Sequence, residues 1–141
     1  MKEIVMVVSG FIGGLFCHLF GAWDRFLDAL LVFMVIDYVS GFVTAAWFGN
    51  SPKSVTGRLW SVAMFKGLCK KGMALFFVII GYKLDVLLGT DYIKSAVVFA
   101  FIANELLSII ENAGRMGVPI PDIIKRAIET LNHKQDKDKE I

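Results

Sequence analysis

Cysteine, net charge and catalytic signatures are all scarce in this chain, and each scarcity closes off a class of function. The two cysteines, Cys17 in an apolar run and Cys69 in a basic stretch, are too few for a disulfide framework and lack metal-ligand spacing. They read as two reduced thiols. No HExxH, no glycine-rich loop ahead of a helix and no paired metal ligands occur. His18 stands beside Cys17, but no third group completes a nucleophile and base. No enzyme, cofactor or metal is therefore expected. The formal net charge is only +2, and the basic residues are not interleaved with aromatics along one face, which argues against nucleic acid as a partner.

What is abundant is apolar sequence. Hydrophobic side chains make up 56% of the 141 residues, above the roughly 45 to 50% usual for soluble domains. A helix crossing the hydrocarbon core needs about 20 mostly apolar residues, and four stretches meet that length: residues 4–23, 29–49, 72–89 and 92–112. The first carries no formal charge. Its start, Met1-Lys2-Glu3, is barely basic and Phe20-Gly21-Ala22 is a poor cleavage site, so it reads as a retained transmembrane helix and not a cleaved signal. The second is interrupted only by Asp37. An Asp at a helix centre costs about 2.5 to 3.5 kcal/mol, while each Leu, Ile, Phe or Val returns about 0.3 to 0.6, so the apolar residues of this run offset it. The fourth, eroded by Lys94, Asn104, Glu105 and Glu111, is expected to be the weakest span.

The expected fold is thus all-α and polytopic, with four transmembrane helices in a membrane domain over residues 1–112. Residues 50–71 read as a basic loop, although Trp60, Met64 and Leu68 fall at helical spacing. Residues 113–132 carry Gly114, Gly117, Pro119 and Pro121 as a hinge, then an amphipathic helix whose stripe is Ile123, Ile124, Ala127, Ile128 and Leu131. Residues 133–141 read as a charged, disordered tail. The basic loop holds Lys53, Arg58, Lys66, Lys70 and Lys71 with no acid. By the positive-inside rule these five orient the chain and meet lipid headgroups, with both termini in the cytoplasm.

Two constellations could carry function. Gly10, Gly13 and Gly14 on the first helix, and Gly41, Ala45 and Gly49 on the second, leave small-residue faces on which helix backbones can approach closely. They serve either packing within the chain or contacts between subunits of a homo-oligomer. Asp37 with Asn104, Glu105 and Ser108 places polar groups at membrane depth. A water-lined opening, a proton relay and a satisfied interhelical hydrogen bond are all compatible with them.

The order and spacing of several pieces resemble a known family. Asn104, Glu105, Ser108 and Glu111-Asn112, followed by Gly117-Val118-Pro119-Ile120-Pro121, are similar to the acid and Glu-Asn helix and Gly-x-Pro-x-Pro hinge of the toxin-secretion and phage-lysis holins of Gram-positive phages and prophages. Asp37-Tyr38-Val39-Ser40-Gly41 resembles their intramembrane Asp-Gly element, and Lys53 to Arg58 with Lys66 and Lys70-Lys71 their basic loop. The resemblance covers about residues 28–132. It implies accumulation in the bacterial cytoplasmic membrane, then large oligomeric lesions that release a cell-wall hydrolase (endolysin) or a toxin, with an antiholin as a further partner. It implies no catalytic residue. Two other readings stay open: a small proton-coupled transporter using Asp37 or Glu105, and an antiholin that inserts without opening the membrane.

Overall fold

The computed structural model describes residues 1–48 and 57–139, and among these every regular element is helical. In order they are α1 (Lys2–Phe20), α2 (Arg25–Trp47), α3 (Gly57–Leu88), α4 (Ile93–Arg115) and α5 (Asp122–Lys139). Gly49 and Lys53 lie outside the described residues, and so does the side chain of Arg58.

Chain reversals occur where the sequence supplies a cap or a glycine. Asp24 ends the α1–α2 turn as an N-cap, its carboxylate accepting from the backbone N–H groups of Phe26 at 3.0 Å and Leu27 at 2.8 Å. Partial burial opposes ionisation of this carboxyl. The Lys94 side chain at 2.8 Å and the two backbone donors outweigh that burial and hold it below its ordinary value. Gly21 and Gly89 take positive φ angles of 77° and 66° where α1 and α3 stop. Asp85, buried near the end of α3, accepts from Thr90 Oγ1 at 2.6 Å and from the backbone N–H groups of Ile93 and Lys94. It thereby satisfies donors that the first turn of α4 would otherwise leave open.

α2, α3 and α4 form a bundle in which α4 is central, packing on α2, α3 and α5, while α1 packs on α3. The buried core is Leu27, Leu30 and Met34 of α2, Ala74 and Val78 of α3, Val98 and Ile102 of α4, and Phe20 at the end of α1. Residues 1–15, which include most of α1, are exposed throughout. So are Val32, Val35 and Val39 of α2 and Phe76, Phe77, Ile80, Leu84 and Leu87 of α3. A water-soluble monomer does not present apolar surface on this scale. Lipid does not penalise it.

Among the described residues three helices, α1, α2 and α4, are long and apolar enough to cross a membrane. The expected count of four is therefore met for three, and α4, expected to be the weakest, is among them. α3 is not, because its apolar half carries Lys71, Lys83 and Asp85. Two further expectations change. The loop expected over 50–71 is helical from Gly57, since from there to Leu88 no proline interrupts the chain and apolar residues continue between the lysines. The tail expected to be disordered continues α5 to Lys139, because neither glycine nor proline occurs between Asp122 and Lys139 to stop it.

The α1–α3 contact is tight at one point. A Cβ on Gly21 would lie 2.6 Å from the Tyr82 ring, and its φ of 77° disfavours any side chain. Gly21→Ala is expected to cost about 1 to 3 kcal/mol of α1 docking, read as faster proteolysis of the α1–α2 turn in detergent. Gly10→Ala, with open space around it, should leave that rate unchanged.

Candidate functional site

The polar residues singled out at membrane depth come together with a partner from an unexpected place. Asp37 lies near the middle of α2 and Glu105 near the middle of α4. Between them the Lys71 ammonium donates to Asp37 Oδ2 at 2.7 Å and to Glu105 Oε2. Lys71 was expected among the headgroup-facing charges. It instead joins an ion cluster at the level where α2 and α4 are each half traversed. Side-chain exposure is 15% for Lys71 and Asp37 and 6% for Glu105, so all three are shielded.

The cluster has further hydrogen-bonding support. Asn112, buried about two turns further along α4 than Glu105, donates from Nδ2 to Asp37 Oδ1 at 3.2 Å and to Ser40 Oγ at 2.9 Å. Ser40 in turn donates to the Asp37 carbonyl at 3.0 Å, and Thr44 Oγ1 to the Ser40 carbonyl at 2.7 Å. Among the described residues no buried side-chain polar atom is left without a partner. That matters in a bilayer, where an unpaired polar group costs several kcal/mol. Gly41 faces this network: a Cβ there would make an ordinary contact with Asn112 Nδ2 at 3.6 Å.

Next to the cluster is a cavity of about 290 Å³ between α2, α3 and α4. Asp37 and Lys71 form its inner end, Gly41, Thr44 and Ala45 line it from α2, and Ala63, Met64 and Gly67 from α3. α4 contributes Ser108, Glu111, Asn112 and Arg115.

The other expected residues are dispersed. Asn104 is exposed on the outer face of α4, whereas Ser108 lines the cavity. Lys66 and Lys70 are exposed along α3. A Cβ on Gly10, Gly13 or Gly14 would have nothing within 4 Å, so no described residue packs on that face, while Gly41 and Ala45 face α4 and the cavity. Sequence reading missed Lys71 and Asn112 as partners of Asp37. The only available signal was that Asp37 and Glu105 are two acids in need of a cation. Cys17 and Cys69 are free, exposed thiols. No group of His, Cys, Asp and Glu among the described residues is arranged to hold a metal ion.

An apolar helical bundle with a charge cluster at its centre is a membrane protein's arrangement, and comparison with known sequences says of which kind. The bacteriophage holin family pattern matches residues 14–133. The chain belongs to the bacteriophage holin family. Among its relatives is a protein of Bacillus phage phi105 named a probable holin, 30% identical over 121 residues, covering 85% of this chain and 83% of that one. Uncharacterized protein Lmo0128 of Listeria monocytogenes is 37% identical over 134 residues, covering 94% of this chain and 89% of the relative. A 14.9 kDa Clostridium perfringens protein, named for its position in the nagH 3' region, is 36% identical, covering 88% and 89%. No solved structure matches. Holins as a family are typically non-enzymatic membrane proteins.

Proposed function

We propose that this holin-family chain is a lysis holin: it assembles with itself in the bacterial cytoplasmic membrane and opens lesions through which a cell-wall hydrolase or a toxin leaves. The observation that carries the reading is the Asp37–Lys71–Glu105 cluster. Ionisable groups at bilayer depth are expensive, and a bundle with no task beyond insertion would be at least as stable with apolar residues in their place. Three charges satisfied by one another in a closed bundle become hydrophilic surface once the helices separate. Rearrangement of α2, α3 and α4 would therefore line an opening without moving any charge through lipid.

In this reading α3 also crosses the bilayer. Its lysine at mid-depth is neutralised by the acids of α2 and α4, and its outward face, Phe76, Phe77, Ile80, Leu84 and Leu87, suits acyl chains. Four crossings then place both termini and the start of α3 in the cytoplasm, as the charge distribution favours. The exposed Lys66 and Lys70, and the glycine face of α1 that no described residue covers, are left for neighbouring subunits.

Assembly through α1 has a direct check. Gly14→Leu should shorten crosslinked ladders in membranes by roughly tenfold in higher-order species while monomer content stays constant, since a bulky side chain separates helices that pack on small residues. Unchanged ladders would move assembly away from α1. The function itself is tested by inducible expression in a bacterium while following membrane potential and release of a cytosolic hydrolase. Abrupt release after a delay is expected. Slow, substrate-specific flux would favour a proton-coupled transporter, and insertion without release an antiholin.

A further inference from the structure

We infer that the cavity beside the Lys71 cluster is a one-sided aqueous vestibule, through which water and small hydrophilic solutes reach the cluster from the cytoplasmic face before any lesion forms. The inference rests on the membrane-spanning part of the proposed function and not on lysis.

Its geometry has a direction. Every residue that lines the cavity lies on one side of the cluster: on α2 none precedes Asp37, on α3 none follows Lys71, and on α4 all lie beyond Glu105. Toward that end the α4 lining passes from Ser108 to the exposed Glu111 and Arg115, about 15 Å along the helix from Glu105. On the other side the first turn beyond each charged residue brings a buried apolar one, namely Met34, Ala74 and Ile102. Leu30, Val78 and Val98 follow in the next turn, and Val78 and Leu30 are wholly inaccessible. Among the described residues the bundle is therefore packed on the side of the cluster nearer the α3–α4 turn, and the cavity lies on the other side.

The lining suits water. Beside the apolar Phe42, Ala45, Ala63 and Met64 it carries two carboxylates, two cationic side chains, a serine, a threonine and an asparagine, and a site holds water when it is roomy enough and offers several polar partners. A cavity of about 290 Å³ exceeds that size requirement many times over. The lining residues lie toward the end of α2, the start of α3 and the end of α4, the end that the proposed topology places in the cytoplasm. In this arrangement the triad is the floor of a half-channel, and the Met34, Ala74 and Ile102 layer is what separates it from the outer face.

Thiol accessibility tests this. In a full-length Cys17→Ser, Cys69→Ser background, Ser108→Cys and Ala45→Cys place single thiols in the vestibule, and Ala74→Cys and Ala103→Cys place them in the packed half. Both sets are near-isosteric, and membrane content with an unchanged gel-filtration profile in detergent establishes folding. The probe is a negatively charged, membrane-impermeant methanethiosulfonate, applied to inside-out and right-side-out vesicles prepared before lysis begins. Ser108→Cys and Ala45→Cys should react at least about tenfold faster than the packed pair in inside-out vesicles and not at all in right-side-out ones, because thiol modification follows exposure to water. Reaction from both faces, from the outer face alone, or at the rate of the packed pair would overturn the vestibule. One-sided labelling in a chain that never releases hydrolase would keep it and remove the lysis reading instead.

Discussion

Lys71→Met is expected to remove folded protein from the membrane, and it is the most damaging single substitution that the structure identifies. The Lys71 ammonium is the cation between Asp37 and Glu105, and all three side chains are no more than 15% exposed. Without it two carboxylates face each other in a low-dielectric bundle. Breaking a buried ion pair by deleting one partner typically costs about 3 to 5 kcal/mol, most of it the penalty of the charge left behind. Against a typical stability of about 5 to 15 kcal/mol that is a large share. Membrane content at steady state should fall at least roughly tenfold, with degradation of the remainder. Asp37→Asn and Glu105→Gln should be much milder, because each leaves Lys71 with one carboxylate and a neutral hydrogen-bonding partner. Equal accumulation of Lys71→Met and wild type would show that Lys71 does not occupy the cluster in the membrane.

The second large effect comes from neutralising the cluster as a whole. In the variant combining Asp37→Asn, Lys71→Met and Glu105→Gln no charge remains unpaired. Replacing a complete buried ion network by neutral groups of similar size is often neutral or stabilising, by about 1 to 4 kcal/mol. This triple variant should accumulate at or above the wild-type level, rescuing the loss caused by Lys71→Met alone. It should nonetheless fail to lyse, because the surfaces exposed on rearrangement no longer carry charge that water can stabilise. Accumulation is read from the membrane fraction and lysis from culture turbidity in the same cells. Loss of the triple variant from the membrane would make the cluster a requirement for folding, and lysis on the wild-type schedule would make it a structural hydrogen-bond centre only.

Much of the fold was legible because helices that meet lipid announce themselves by length and hydropathy. α1, α2 and α4 follow from apolar runs, and the hinge and α5 from Gly117, Pro119, Pro121 and the stripe that includes the buried Ile128. α3 was half legible. Its lysines read as a basic loop because a hydropathy window counts the charge of Lys71 and is blind to its neutralisation. That neutralisation comes from residues 34 positions away on either side, which share no local periodicity with it. The Asn112–Asp37 bond spans 75 positions and is equally silent. Asp37 and Glu105 themselves were identifiable, since a carboxylate in an apolar run demands an explanation wherever its partner lies. The tail was misread for a different reason: charge argues against burial, but α5 beyond Leu131 needs only the absence of a helix breaker to continue.

The measurement that bears most directly on the function is release of a cytosolic cell-wall hydrolase from single induced cells, recorded together with membrane potential. The expected result for the wild-type chain is a silent interval of accumulation. Depolarisation and hydrolase release should then follow within one short window, with neither in the triple variant at matched membrane content. Gradual depolarisation that tracks protein level from the start, without release of the hydrolase, would contradict it.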